Sequence, residues 1–60
     1  MYSGMDLKVR RIMNDIEAQE VARYLGVSKT YISLMEKGKR RISQEMYERW
    51  AEFLGLNKEE

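Results

Sequence analysis

The segment Gln19–Arg41 constrains the fold of this chain more than any other part of its 60 residues. Its first part carries three apolar residues at i, i+1 and i+4, a spacing that marks one face of a helix: Val21, Ala22 and Leu25. Gly26 follows at the point where a helix C-cap needs a positive φ, which glycine adopts without a steric clash. Ser28 is a good N-cap for a second helix. These signals predict two short helices joined by a tight turn.

The second helix is predicted over Lys29–Lys37, with Ile32 and Met35 on its inner face. Its polar residues then point outward: Lys29, Thr30 and Ser33. Gly38 ends the helix, and three basic residues follow directly: Lys39, Arg40 and Arg41. Helix-turn-helix proteins enter the DNA major groove with such a second helix, whose N-terminal residues are polar. DNA binding is therefore the leading hypothesis.

The formal net charge is only +1, but the charges are unevenly distributed. Residues 29–41 hold five basic side chains and one acidic one, whereas residues 42–60 hold two basic and five acidic ones. Residues 1–28 balance, with four of each sign. One strongly basic segment suits a protein that docks on phosphates. A solvated surface is the more frequent explanation of a charge cluster, so charge alone does not decide the function.

Composition and periodicity predict an all-α protein. The chain has no proline, and β-branched residues nowhere alternate with polar ones over a useful length. A single domain over residues 1–60 is expected, with fraying at 1–4 and 57–60. Its predicted helices span residues 6–14, 18–25, 29–37 and 44–54. The predicted core is Val9, Ile12, Ile16, Val21, Ala22, Leu25, Val27, Ile32, Met35, Trp50 and Leu54, and the first helix is expected to turn Val9, Ile12, Met13 and Ile16 inward.

The residue content argues against an enzyme. Histidine and cysteine are absent, there is no glycine-rich phosphate loop, and so short a chain is expected to lack a pocket of several hundred cubic ångströms. Glu45, Glu48 and Glu52 lie at i, i+3 and i+7, which indicates a solvated helix face rather than a metal site. We predict no cofactor and no metal. No apolar run reaches the roughly 18 residues of a membrane span, and no signal peptide is evident, so a cytoplasmic protein is expected.

With these residues placed, the chain resembles the Cro/phage-repressor type of helix-turn-helix domain, often called the XRE family. The match covers about Leu7 to Leu56. Four segments in order carry it: Val21-Ala22-x-x-Leu25-Gly26-Val27-Ser28, Tyr31-Ile32-Ser33, Met35-Glu36-x-Gly38-Lys39-Arg40 and Trp50-Ala51-x-x-Leu54-Gly55. The resemblance implies a compact four- to five-helix, lambda-repressor-like bundle. It also implies a bacterial or phage-encoded regulator or repressor, nucleoid-associated, that binds double-stranded DNA.

The resemblance further implies roles for individual residues. Those expected to contact bases are Lys29, Thr30, Ser33 and Leu34. Those expected to contact phosphates are Gln19, Ser28, Tyr31, Lys37, Gly38 through its backbone amide, Lys39, Arg40 and Arg41. Arg11 and Glu36 are expected to form a structural ion pair between the first and third helices, rather than a surface pair of little energetic value.

The chain also departs from the family pattern. Glu17 and Ala18 stand where the family has Thr or Ser followed by Gln, and Leu34 replaces a polar residue. Ile42 replaces a frequent proline, and the fifth helix is absent or reduced to residues 56–60. A homodimer or a protein partner would then use other surfaces, of which the candidates are Tyr2, Tyr47, Phe53 and Leu56. The alternative function is a helix-turn-helix protein-interaction module, such as an anti-repressor, that does not bind DNA by itself.

Overall fold

A computed structural model describes residues 2–56, which form four α-helices. The helices are α1 (Gly4–Met13), α2 (Ala18–Leu25), α3 (Lys29–Glu36) and α4 (Gln44–Leu54). No strand occurs within these residues, which confirms the predicted all-α class. The fraying predicted at Asn57–Glu60, and most of the reduced fifth helix, lie outside the described residues.

Helix α1 begins earlier than predicted because Ser3 caps it. Ser3 Oγ accepts a hydrogen bond from the Asp6 amide, and the Ser3 amide donates to Asp6 Oδ2, both at 3.1 Å. This reciprocal capping box satisfies two backbone donors at the start of the helix. The helix therefore starts at Gly4 rather than Asp6, and it ends at Met13 rather than at residue 14. The fraying predicted for the N-terminus is thus wrong for Ser3 and Gly4.

Local capping residues determine where the remaining helices begin and end. Ser28 Oγ accepts from the Tyr31 amide at 3.0 Å, and Ser43 caps α4 in the same way. Gly26 ends α2 with a φ of 75°, a left-handed conformation that residues with a Cβ disfavour. Helix α3 ends at Glu36, one residue before the predicted end. The turn between α2 and α3 is consequently short and fixed.

The core fills the space between all four helices. Trp50 of α4 is fully buried, as are residues from each of the other helices. The buried apolar residues are Leu7, Val21, Ala22, Leu25, Ile32, Met35, Trp50, Ala51, Leu54 and Leu56. Ile16 and Val27, predicted as core, are only half-buried and pack against this cluster.

The prediction for the inner face of α1 is wrong. Val9 is 46% exposed, Ile12 54% and Met13 71%, and Met5 continues this apolar surface at 56%. Leu7, which the periodicity did not select, is fully buried instead. Leu7 and Arg11 lie at i and i+4 and therefore share one side of the helix. Since Arg11 turns inward to reach α3, the same rotation buries Leu7 and exposes Val9.

Gly4 marks a close approach between the start of α1 and the end of α3. A Cβ at this position would overlap the carbonyl oxygen of Met35 and press on the backbone of Glu36. Only glycine therefore lets α1 approach α3 this closely. The N-terminus of α1 and the C-terminus of α3 are packed as one unit.

Candidate nucleic-acid interface

Helix α3 has a buried side and an outward side. Ile32 and Met35 are fully buried, and the Glu36 side chain is buried with them. On the opposite side, four residues at i, i+1, i+4 and i+5 share one surface, with the first two exposed and the last two half-buried: Lys29, Thr30, Ser33 and Leu34. Helix α3 is therefore held by packing of its buried side against the core, and its N-terminal half presents polar side chains to solvent.

A basic loop, defined here as Lys37–Arg41, follows α3 without an intervening residue, and all five of its residues are exposed. Its backbone folds back on the helix. The Lys39 amide donates to the Leu34 carbonyl at 2.8 Å, and Gly38 adopts a φ of 78°. These features fix the loop close to the C-terminal end of α3.

The Gly38 amide, expected to hold a phosphate, is used within the chain. It donates to the Met35 carbonyl at 3.1 Å and so satisfies an otherwise unpaired acceptor at the end of α3. This amide is therefore already satisfied within the chain, and we leave it out of the proposed phosphate donors. Gly38 contributes the loop conformation instead.

Arg11 and Glu36, the pair implied by the resemblance, are brought together in the structure. Arg11 Nε lies 2.8 Å from Glu36 Oε2, and Arg11 Nη2 lies 3.3 Å from Oε1, a bidentate arrangement. Arg11 Nη1 also donates to the Ile16 carbonyl at 2.8 Å. The side chains are only 11% and 4% exposed. One guanidinium thus joins α1, the α1–α2 loop and α3.

Helix α2 packs against α3, and its first turn differs in capping from the family that the sequence resembles. The Glu17 amide donates to Glu20 Oε2 at 3.2 Å, so an acidic side chain occupies the positive end of the helix dipole. Gln19 is exposed in the first turn of α2, and Ala18 is half-buried against the core. Gln19 is consequently the accessible polar side chain at this end that carries no charge.

A groove of about 450 Å³ lies away from the outward side of α3, which corrects the expectation that so short a chain lacks one. It is lined by Tyr2, Tyr47, Glu48, Ala51, Glu52 and Leu56. The Tyr2 amide donates to the Tyr47 hydroxyl at 3.0 Å, which ties the N-terminus to α4. Within residues 2–56, no three histidine, cysteine or acidic side chains are grouped to hold a metal ion. Leu56, a candidate for dimer contacts, is buried.

Comparison with known proteins gives one family. The helix-turn-helix family model of the XRE type matches residues 7–60, most of the chain. The chain belongs to the XRE-type helix-turn-helix family. Searches of curated proteins and of solved structures give no match. The match confirms the family inferred from the four sequence segments.

In this XRE-type domain, α3 is the second helix of the helix-turn-helix and leads directly into the basic loop. The family is one of DNA-binding regulators. Over residues 2–56, the helices are too short and too polar for any of them to cross a membrane. Two of the predicted phosphate ligands contact each other: the Arg40 guanidinium lies over the Tyr31 ring, 5.9 Å from its centroid. Both residues were predicted to contact phosphates, but no sequence signal relates a loop arginine to that ring.

Proposed function

We propose that this XRE-type domain binds double-stranded DNA sequence-specifically and acts as a small transcriptional regulator, with α3 in the major groove. The observation that carries the proposal is the continuity of two surfaces. Lys29 and Thr30 are exposed on the outward side of α3, the half-buried Ser33 and Leu34 continue that side, and the exposed basic loop follows the helix, so one approach to a duplex would engage both. Phosphate contacts supply affinity, and base-edge contacts supply specificity.

Base reading is assigned to the outward side of α3. Lys29 would donate to guanine O6 or N7, and Thr30 would hydrogen-bond a base or touch a thymine methyl group. Ser33 and Leu34 lie one turn further along, where Leu34 can make only apolar contact. Half-burial of Leu34 limits that contact to one side of the residue. Sequence preference should therefore depend chiefly on the first turn of α3.

Phosphate binding is assigned to side chains that precede α3, lie in its first turn, or follow it in the basic loop. The charged members are in the basic loop, and the uncharged members are Gln19, Ser28 and Tyr31. Lys37, Lys39, Arg40 and Arg41 provide the counterion-releasing contacts that make DNA affinity fall with salt. The Gly38 amide is not among these donors, since α3 uses it.

A second half-site would be supplied by a homodimer or a protein partner, because a single small module makes few base contacts. Helix-turn-helix dimers bind half-sites one helical turn apart, so a selected DNA should contain an inverted repeat. We further propose that the protein is a cytoplasmic, nucleoid-associated regulator or repressor, bacterial or phage-encoded, of the kind that phages and mobile elements carry. Sedimentation of the protein with and without the selected DNA tests the dimer.

The decisive experiment is selection of DNA ligands from a random pool at two salt concentrations, with Lys29→Ala and Lys39→Ala as a matched pair. Both variants remove one exposed positive charge within the same region. Lys39→Ala should weaken binding to all sequences alike and lower the salt slope by about one unit. Lys29→Ala should in addition flatten the preference among sequences. Equal effects of the two variants on sequence preference would contradict the assignment of Lys29 to base reading.

The second candidate is a protein-interaction module, and the half-buried apolar Leu34 on the outward side of α3 favours it. An apolar side chain there suits a protein surface better than a polar base edge. Failure of the wild-type protein to bind random duplex DNA at low salt would reject DNA binding and leave this candidate. Binding to random duplex DNA that is weak and salt-dependent, and that becomes stronger for selected sequences, would reject the protein-interaction candidate.

A further inference from the structure

The Arg40 side chain lies on an aromatic surface provided by α3. Its guanidinium carbon is 5.9 Å from the centroid of the Tyr31 ring. That separation lies within the roughly 6 Å over which the face of an aromatic ring attracts a cation. Lys37, Lys39 and Arg41 are also exposed in the basic loop, so Arg40 shares its charge and accessibility with these three residues and in addition lies over an aromatic ring.

Contacts of Tyr31 hold its ring in place. The Tyr31 backbone amide donates to the capping Ser28 hydroxyl at 3.0 Å, which fixes the first turn of α3. The half-buried ring packs against the apolar core. Because the Lys39 amide is bonded to the Leu34 carbonyl at 2.8 Å, the backbone next to Arg40 is also tied to α3. Both ends of the contact are consequently held by the same helix.

A cation–π contact would prepare an arginine for phosphate binding in two ways. The ring attracts the positive charge of the guanidinium without using its N–H donors, which stay available for phosphate oxygens. An arginine side chain also loses considerable rotamer freedom when it binds, and a side chain already held against a ring has lost part of it beforehand. A lysine ammonium lacks a planar face and would gain less from such a ring.

We propose that Tyr31 is a positioning residue that holds the Arg40 guanidinium ready for a DNA phosphate. Tyr31 then strengthens binding through its ring and through Arg40, rather than through a hydroxyl contact of its own. This inference rests on the proposed function, because it concerns the same phosphate contacts. It changes the expected role of Tyr31 from a direct ligand of the backbone to a support for one.

A double-mutant cycle tests the proposal, with affinity for a fixed DNA duplex measured at several salt concentrations. Tyr31→Leu should weaken binding about two- to fivefold, the range that an exposed cation–π contact supplies. In an Arg40→Ala background, Tyr31→Leu should have no further effect. Tyr31→Phe keeps the ring and should bind as the wild type does. Lys39→Ala is the matched control, and its effect should simply combine with that of Tyr31→Leu.

Loss from Tyr31→Leu that persists in the Arg40→Ala background would indicate a structural role and overturn the proposal. Loss from Tyr31→Phe equal to that from Tyr31→Leu would overturn it in favour of a hydroxyl contact. A wild-type protein that binds no duplex DNA would reject the proposed function, and the positioning role with it.

NMR of the unbound protein tests the contact between Arg40 and Tyr31 separately. Ring-current shifts of the Arg40 side-chain protons should appear in the wild type and Tyr31→Phe and vanish in Tyr31→Leu, and their absence from the wild type would overturn the proposal.

Discussion

Replacing Arg11 by methionine should remove most of the stability of this domain. The substitution keeps a long side chain but removes the guanidinium that bonds both Glu36 oxygens and the Ile16 carbonyl. The Glu36 side chain is 4% exposed, so its carboxylate would remain buried without a partner. Removing one partner of a buried ion pair destabilises a protein by about 3–5 kcal/mol. A domain of 60 residues has a total stability of roughly 3–9 kcal/mol.

Two further variants separate the buried charge from the lost contacts. Glu36→Gln retains an oxygen that accepts from Arg11, and Arg11 keeps the Ile16 carbonyl, so the expected loss is smaller, about 1–3 kcal/mol. The double variant Arg11→Met/Glu36→Leu leaves no buried charge and replaces the pair with apolar volume. Such replacements are often neutral or stabilising, so the double variant should lie within about 1 kcal/mol of the wild type. The half-buried Ile16 can bond to water once Arg11 is gone.

Urea unfolding followed by Trp50 fluorescence measures these differences, because the chain has one tryptophan and it is fully buried. The expected order of stability is wild type and double variant, then Glu36→Gln, then Arg11→Met. The reasoning depends on burial of the pair. If Arg11→Met and Glu36→Gln each changed the free energy of unfolding by less than about 1 kcal/mol, the pair would behave as a solvent-exposed one and the reasoning would be refuted.

Three further predictions use the same unfolding assay. Leu7→Ala should lose about 2–5 kcal/mol because it empties a fully buried site, whereas Val9→Ala, on the exposed side, should change stability by about 0.5 kcal/mol or less; equal losses would contradict the observed rotation of α1. Gly4→Ala should destabilise by about 1–3 kcal/mol, since its Cβ would overlap the Met35 carbonyl oxygen; the stabilisation usual for Gly to Ala in a helix would show that this approach is loose. Ser43→Ala should lower the free energy of unfolding by about 1 kcal/mol because α4 loses its N-cap. A smaller loss for Ser3→Ala would show that the Ser43 cap contributes more to stability than the Ser3 cap.

Much of the fold could be predicted because its signals are local. Gly26 and Ser28 end one helix and start the next through their own conformations, which depend little on the rest of the chain. Ser43 and Gly55 do the same for α4. The all-α class followed from the same features. The capping box of Ser3 with Asp6 is also a local signal, and it orders the residues at the start of α1 that we expected to be frayed.

The rotation of α1 could not be predicted from periodicity because two chemically different sides compete. The side with Val9 and Ile12 is the more apolar, yet the side with Leu7 and Arg11 is buried. Hydrophobic patterning assumes that charged residues face water, and that assumption fails where a charge finds a buried partner. The partner, Glu36, lies 25 residues away in sequence, so only the resemblance to a family, and not spacing, pointed to it.

In the candidate site, too, the exposure of individual residues could be predicted from local signals, whereas contacts between residues distant in the fold could not. Exposure of Lys29 and Thr30 and of the basic loop follows from the cap and the ends of α3, all readable in the sequence. Use of the Gly38 amide inside the chain does not, because it depends on how the loop folds back onto α3. The Tyr31–Arg40 contact depends on that same fold-back. The conformation of the basic loop, rather than residue type, therefore sets the contacts that Gly38 and Arg40 make within the chain.

The contacts on the buried side and at the two ends of α3 explain how so small a domain can hold this helix firmly. Ser28 fixes the N-terminal end of α3, while Arg11 and the Gly4 approach fix its C-terminal end. None of these contacts uses the exposed Lys29 or Thr30, so these two positions can change with little loss of stability. The basic loop is bonded to the same helix, so under the proposed function a shift of α3 would move the proposed phosphate ligands together with the proposed base-reading residues. A variant such as Glu36→Gln that loosens the C-terminal end of α3 should therefore weaken binding to all DNA sequences, although the Glu36 side chain is buried.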